Sequence, residues 1–335
     1  MPDSQLSNVT RVETAPSLLL GLNARQREYV ERSKSKNTKR AYKNAWNDFS
    51  YFCANIARIQ ALPASPQTVA DYLQYLADGA SKISTINQRV AAIAFFHRTA
   101  GKPDPTIHPL VTTLMQGIRR ERVDERAESV RQVEPLARDE LFHICIALPD
   151  DLRGKRDKAL LLLGFAIARR ESELAALNVR DIAFSERGMT VSIRKSKTDQ
   201  FGEGRKKIIE HLAEGSEFIC PVCALRAWLE AAEIPGGAIF RKVDRWGKVW
   251  EKRINARTVA YIVKRNIAAI GRDPKEFAGH SLRAGFVTQA AEDGVPIHEI
   301  QEVTDHKSGD MVRRYIRNRG LGAQRTIRRV LGEQP

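Results

Sequence analysis

The sequence predicts two domains: an all-helical bundle, then a mainly helical domain that carries a small β-sheet. Three observations lead there. Apolar residues recur at helical spacing from residue 22 to 122 with no strand pattern between. A charged stretch, "VDERAESVRQ", then breaks that periodicity. Beyond it, two alternating segments flank the glycine-containing "DQFGEG" while helical patterns resume around them. At 335 residues the chain is long enough for more than one core.

Residues 1–21 show no useful periodicity and are expected to be a flexible tail. In the first domain, 22–122, "NTKRAYKNAWNDFSYFCANIA" places Tyr42, Trp46, Phe49 and Cys53 on one stripe, with Asn37 as the expected cap. "SPQTVADYLQYLADG" offers Ser65 as a cap, Pro66 in the first turn and Gly79 after the end. The segments 84–101 and 108–122 complete the bundle. Residues 123–135 are expected to link it to the second domain, 136–335. There "ALLLLGFAIA" (159–168) is too short to cross a bilayer and reads as a buried helix. "MTVSIRK" (189–195) and "RKKIIEH" (205–211) read as a hairpin. Helices are expected at 221–232, 257–270, 280–292, 296–303 and 308–318, with a short amphipathic segment at 322–332.

The net charge is +15 and the pI about 9.8. Such a charge is silent about fold but favours a polyanionic partner, nucleic acid before an anionic membrane. The opening residues lack the pattern of a signal peptide, and four cysteines in this length do not suggest a disulfide framework, so a reducing cytoplasm is expected. Cys220 and Cys223 form a C-x-x-C with no second pair at a suitable distance, so neither a metal nor a cofactor is expected.

Five short stretches of the second domain carry groups suited to chemistry. "RRESEL" places Arg170 and Glu173 three apart, on one helix face. "RKSKTD" puts Lys197 where a strand enters the hairpin turn. "GHSLRAGF" contains His280 and Arg283, again three apart. His306 follows, then Tyr315 nine residues later. Singly these read as a helix ion pair, a solvated lysine, a helix cap and a packing phenol. Together, in this order, they resemble the tyrosine recombinase (phage integrase) family. "NTKRAYKNAWNDFSYFC" and "FFHRTAGKPDP" are similar to its helical DNA-clamping domain, and "CPVCALRAWLEAA" to one of its catalytic-domain helices.

The resemblance implies a SAM-like, core-DNA-binding helical domain followed by a catalytic domain of the DNA breaking–rejoining fold. It implies site-specific recombination through a 3′-phosphotyrosine, with neither metal nor ATP. Tyr315 is then the nucleophile. Arg170 and Arg283 hold the non-bridging phosphate oxygens, since guanidinium offers paired donors. His280 accepts the phenol proton or binds the phosphate, Lys197 protonates the leaving 5′ oxygen, His306 donates to the phosphate, and Glu173 orients its neighbours. Arg169 adjoins Arg170, and box spacing alone selects the latter. The family commonly has glycine where this chain has Asp305, which predicts an extra negative charge beside the phosphate.

DNA contacts are expected from Thr38, Lys39, Arg40 and Lys43 on one helix, from Ser84, Thr85, Gln88 and Arg89 on another, and from Arg257 at the start of a third. The implied partner is a duplex recombination site with inverted half-sites, clamped between the domains and bound by two copies, with four copies in synapsis. The C-terminal segment would dock between subunits. The implied setting is the cytoplasm of a bacterium, nucleoid-associated, from a chromosomal, phage or plasmid gene, with no membrane partner. A type IB topoisomerase shares the constellation, and a DNA-binding protein that has lost catalysis is the rival of another class.

Overall fold

The computed structural model describes residues 23–32, 34–124, 133–193, 205–306 and 308–317. It divides into two compact units, residues 1–131 and 132–335.

The described residues of the first unit form helices joined by turns, with no strand among them. Helices α1 (Ala24–Arg32), α2 (Lys36–Tyr51), α3 (Pro66–Asp78), α4 (Ile83–Thr99) and α5 (Pro109–Asp124) follow one another, with a π-turn at Phe52–Ala57 extending α2. The cap of α2 is Ser35, whose hydroxyl accepts the Thr38 N–H at 3.1 Å, not Asn37; the helix begins one residue before Asn37. Ser65 caps α3 in the same way, accepting the Thr68 N–H at 3.1 Å. The stripe of α2 is buried against α3, α4 and α5. Trp46, Phe49, Phe52, Tyr72, Leu73, Ile86, Ile93 and Met115 form the core. Trp46 stacks on Phe96 with centroids 4.6 Å apart. His97 is fully buried; its Nδ1 donates to the Ile93 carbonyl and its Nε2 accepts the Ala64 N–H, both at 2.9 Å. An imidazole with one donor and one acceptor in use is neutral, and burial holds its pKa below the ordinary value.

The second unit is built around α7 (Leu152–Ile167), whose Leu160, Leu161, Leu162 and Leu163 are all buried. This is the helix that the apolar run predicts. Asp151 caps it, accepting the Gly154 N–H at 2.7 Å. Around α7 pack α6 (Arg138–Ala147), α8 (Glu171–Ala176), α9 (Pro221–Ala231), α10 (Ala256–Ala269) and α11 (Ser281–Glu292), followed by α12 (Ile297–Thr304) and α13 (Gly309–Arg317). Gly164 lets α8 and α11 close on α7: a Cβ there would lie 2.8 Å from Leu174 and 2.9 Å from Leu282.

The predicted hairpin is β2 (Gly188–Ile193) with β3 (Arg205–Glu210), antiparallel, with Ile193 opposite Arg205. A third strand, β1 (Ile182–Phe184), pairs with β2, and a separate hairpin joins β4 (Arg241–Val243) to β5 (Val249–Arg253). The amphipathic segment 322–332 and the tail 1–21 lie outside the described residues. No described helix is long and apolar enough to cross a membrane.

Candidate active site

Chain turns, more than helix faces, set the candidate site. The first is the turn between α7 and α8. Ala168 ends α7 in the left-handed region, with φ 47° and ψ 39°, a costly conformation for a residue with a Cβ. The reversal buries Arg169 and makes Arg170 the residue before α8, with extended backbone. Glu173 accepts from the Arg170 side chain at 2.7 Å and from its N–H at 3.4 Å, so one carboxylate both caps α8 and orients the guanidinium.

The start of α11 supplies the second element. Arg283 is buried and donates to the Ala168 carbonyl at 2.8 Å, which ties α11 to the strained turn. Gly279 is required just before it: a Cβ there would stand 1.9 Å from Glu171 Oε2 and 2.9 Å from Glu171 Cβ. This close approach brings His280 Nδ1 to 3.9 Å from the Glu171 carboxylate while its ring stays half exposed.

The third element is the turn between α12 and α13. Asp305 is left-handed, φ 54°, where glycine is the easy choice and aspartate one of the tolerated alternatives. The expected extra negative charge is present, but it is neutralised within the protein. The Asp305 carboxylate accepts from the buried Arg169 and, at 2.8 Å, from Arg205 on β3, with the Lys207 ammonium 3.7 Å away. Burial, then the neighbouring guanidiniums of Arg283, Arg205 and Arg170, push Arg169 down to about 10, with Glu173 opposing them. Burial and the charges of Arg169 and Arg205 push Lys207 down to about 8.

His306 is buried beside this cluster. Burial first, then Arg283 and Arg170, push its pKa down to about 4. The Thr304 hydroxyl donates its hydrogen to the Ile300 carbonyl at 2.6 Å, so its 2.8 Å contact with His306 Nδ1 makes Nδ1 the donor. The neutral ring therefore has its lone pair at Nε2. Donation from Nε2 to a phosphate, the role expected from the sequence, needs the imidazolium.

Arg170, Arg283 and His306 thus share one electrostatic environment, and His280 stands beside Glu171 at the mouth of the same turns. A residue-by-residue match to a known constellation is one thing; a match along the whole chain is another. The phage integrase family model matches residues 135–320, and the model of the phage integrase N-terminal SAM-like domain matches residues 28–102. An integrase/recombinase xerD homolog from Selenomonas ruminantium is 37% identical over 315 residues, 93% of this chain and 89% of that one.

The chain belongs to the phage integrase family.

Another relative of this integrase-family chain, the recombinase cre of Escherichia phage P1, is 26% identical over 272 residues, covering 76% of this chain and 77% of the other. The relatives are named recombinases and integrases, so the chain is an enzyme of the tyrosine recombinase type. Among solved structures, the Tn1549 transposon integrase in complex with transposon right end DNA superposes with a TM-score of 0.58 at 14% identity, over 87% of this chain and 92% of that one. A lambda integrase dimer bound to a COC′ core site gives 0.54 at 17%, over 87% and 74%. At such identities the likeness establishes the fold: a SAM-like helical domain followed by a mostly helical catalytic domain with small sheets.

The remaining sequence-predicted residues fall in three groups. Lys197 lies outside the described residues, and of Tyr315 only its place in α13 is described, nine positions beyond His306. On the first unit Lys39, Arg40, Lys43, Ser84 and Gln88 are exposed, and Thr38 and Thr85 partly so. Arg89 is turned toward Asp48, 3.1 Å away, so protein already takes part of its charge. Arg257 is exposed in the first turn of α10. A basic groove of about 450 Å³ lies nearby, but its arginines are structural: Arg153 donates to the Asp244 carbonyl, Arg156 and Arg265 pair with buried Asp157, and Arg253 donates to the Ala175 and Leu177 carbonyls. The C-x-x-C gains a companion the sequence reading did not find: His211 faces both Cys220 and Cys223.

Proposed function

We propose that this chain is a site-specific DNA recombinase that breaks and rejoins strands through a 3′-phosphotyrosine at Tyr315, with neither metal nor ATP in the chemical step. The reading is supported above all by the joining of Arg170, Arg283 and His306 around turns that pre-orient them. Phosphoryl transfer asks for in-line positioning and for positive charge at the non-bridging oxygens. Two guanidiniums fixed by protein acceptors supply that charge without reorganising at the moment of reaction.

The phenol oxygen of Tyr315 attacks phosphorus as the bond to the 5′ oxygen breaks. The phenol proton passes to His280, whose Nδ1 lies 3.9 Å from the Glu171 carboxylate. Lys197 gives a proton to the departing 5′ oxygen. Attack by a 5′ hydroxyl from the partner duplex then reverses the sequence and frees the tyrosine. The phosphotyrosine conserves the energy of the phosphodiester, so rejoining requires no nucleotide. His306 takes up a proton as the scissile phosphate enters and donates from Nε2.

The substrate in this reading is a duplex with inverted half-sites, held by the two domains and bound by two copies, with four copies in synapsis, in the cytoplasm with the nucleoid. The structural neighbour that is a dimer on a core site supports the two-copy arrangement. A duplex nicked near the cleavage position tests the chemistry, because loss of the short fragment traps the intermediate. Wild-type protein is expected to form a covalent adduct. Tyr315→Phe is expected to bind equally and form none. An adduct in the Phe variant would remove Tyr315 from the mechanism, and no adduct with wild type would leave a DNA-binding protein.

A further inference from the structure

Between β3 and α9 the chain brings three ligand-type side chains together, away from the phosphate site. His211 Nδ1 lies 3.8 Å from Cys220 Sγ and 3.6 Å from Cys223 Sγ, and the three atoms all lie within 4.8 Å of one another. A tetrahedral zinc ion, with Zn–S of about 2.3 Å and Zn–N of about 2.0–2.1 Å, separates a sulfur from a nitrogen by about 3.6 Å. We propose that His211, Cys220 and Cys223 form a zinc site that fastens the end of β3 to the start of α9.

The local structure builds this site from fixed pieces. His211 directly follows the last residue of β3, and its N–H donates to the Arg187 carbonyl at 2.9 Å, so the sheet sets its position. Cys220 is the residue before α9 and Pro221 opens the helix, which places Cys223 within the first turn. Two thiolates and an imidazole are a borderline-soft set that suits zinc better than magnesium or calcium. With three protein ligands, the fourth position goes to water. A redox pair would need only the two cysteines and would make no use of His211.

The consequence is mechanical. The ion would close the loop 212–219 and hold β3 at its far end, roughly 20 Å along the strand from Arg205 at about 3.3 Å per residue. That strand carries Arg205 and Lys207 to Asp305, and it is one arm of the hairpin whose connection contains Lys197. The site is thus a brace for the hairpin and takes no part in phosphoryl transfer.

The test uses full-length protein purified with reductant and stripped by chelator. Cobalt(II) is expected to bind one equivalent, with the visible bands of a tetrahedral thiolate site, and zinc to displace it. His211 is exposed, so His211→Ala is expected to leave the melting temperature of the stripped protein unchanged. It and Cys223→Ser are each expected to weaken zinc binding by more than ~100-fold, beyond what loss of an outer-shell partner costs. Zinc is expected to raise the melting temperature of wild type and not of His211→Ala. Absence of cobalt bands, or unchanged zinc binding by His211→Ala, would overturn the site. A Cys220–Cys223 disulfide in protein alkylated at lysis would assign the pair to redox chemistry.

Discussion

Replacing Asp305 by glycine installs the residue that the family commonly has at this turn, yet in this chain it is expected to destabilise. Arg169 is 2% exposed, and its Nε and Nη2 have no hydrogen-bond partner among the described residues, so Nη1 and Asp305 carry the interaction. Removing one member of a buried ion pair leaves an uncompensated charge and costs about 3–5 kcal/mol. Glycine returns about 1 kcal/mol by relaxing the left-handed backbone at φ 54°. Its extra freedom in the unfolded chain takes back up to about 1 kcal/mol. The net loss is about 2–5 kcal/mol. For a unit of this size each kcal/mol moves the melting temperature by about 2–4 °C, so calorimetry is expected to show the second unit melting about 4–20 °C lower. Arg169→Met combined with Asp305→Gly removes both charges and is expected to recover most of that loss, while Arg169→Met alone leaves Asp305 with Arg205 and Lys207. An Asp305→Gly protein that melts at or above wild type would refute the reasoning.

Other consequences are open to direct measurement. His306 is held near 4 against an ordinary value near 6.5, so the unfolded chain binds more protons between those values. Its contribution is therefore full above about pH 6.5 and is lost as pH falls toward 4, by at most about 3 kcal/mol at 1.36 kcal/mol per unit. His306→Gln is expected to flatten that part of the stability–pH curve, and an unchanged curve would contradict the assignment. Lys197→Ala is expected to slow cleavage of ordinary DNA severely and to regain much of the rate when the bridging 5′ oxygen is sulfur, which leaves without a proton; no recovery would make Lys197 a phosphate binder. Deleting residues 321–335 is expected to leave binding to one half-site nearly intact and to weaken cooperative filling of two, as read by gel-shift titration. Unchanged cooperativity would mean that this segment packs within its own subunit or is idle.

The helices were legible because their signals are local. Apolar spacing and caps such as Ser65 act within one turn of the chain. The small strands were less so. β1 and β4 are three residues each and β5 is largely charged, so alternation has too few positions in which to show. The candidate site divides along the same line. Arg170, Arg283, His306 and Tyr315 stand in short motifs whose order is visible in one dimension. The long-range pairs beside them are not: Asp305 meets Arg169 across 136 positions and Arg205 across 100. His211 is nine positions from Cys220, but only the reversal between a strand end and a helix start turns it onto both sulfurs. The tautomer of His306 depends on where a single hydroxyl hydrogen goes, which no spacing records.

The long-range partners also explain why the site tolerates so much positive charge before any DNA arrives. Burial first, then the charges of Arg283, Arg205 and Arg170, lower the pKa of Arg169. Three acceptors fix the four: Asp305 for Arg169 and Arg205, Glu173 for Arg170, and the Ala168 carbonyl for Arg283. Two of those acceptors, Ala168 and Asp305, are themselves non-glycine residues in the left-handed region. Backbone strain of order 1–2 kcal/mol at each turn is thus matched by an ion pair or hydrogen bond that the turn alone makes possible. The coupling has a consequence for function. In the proposed mechanism, a guanidinium held in place before the phosphate enters need not be ordered by it, so the binding energy of the phosphate would go to the transition state and not to assembling the site. The two strained turns are what make that assembly in advance.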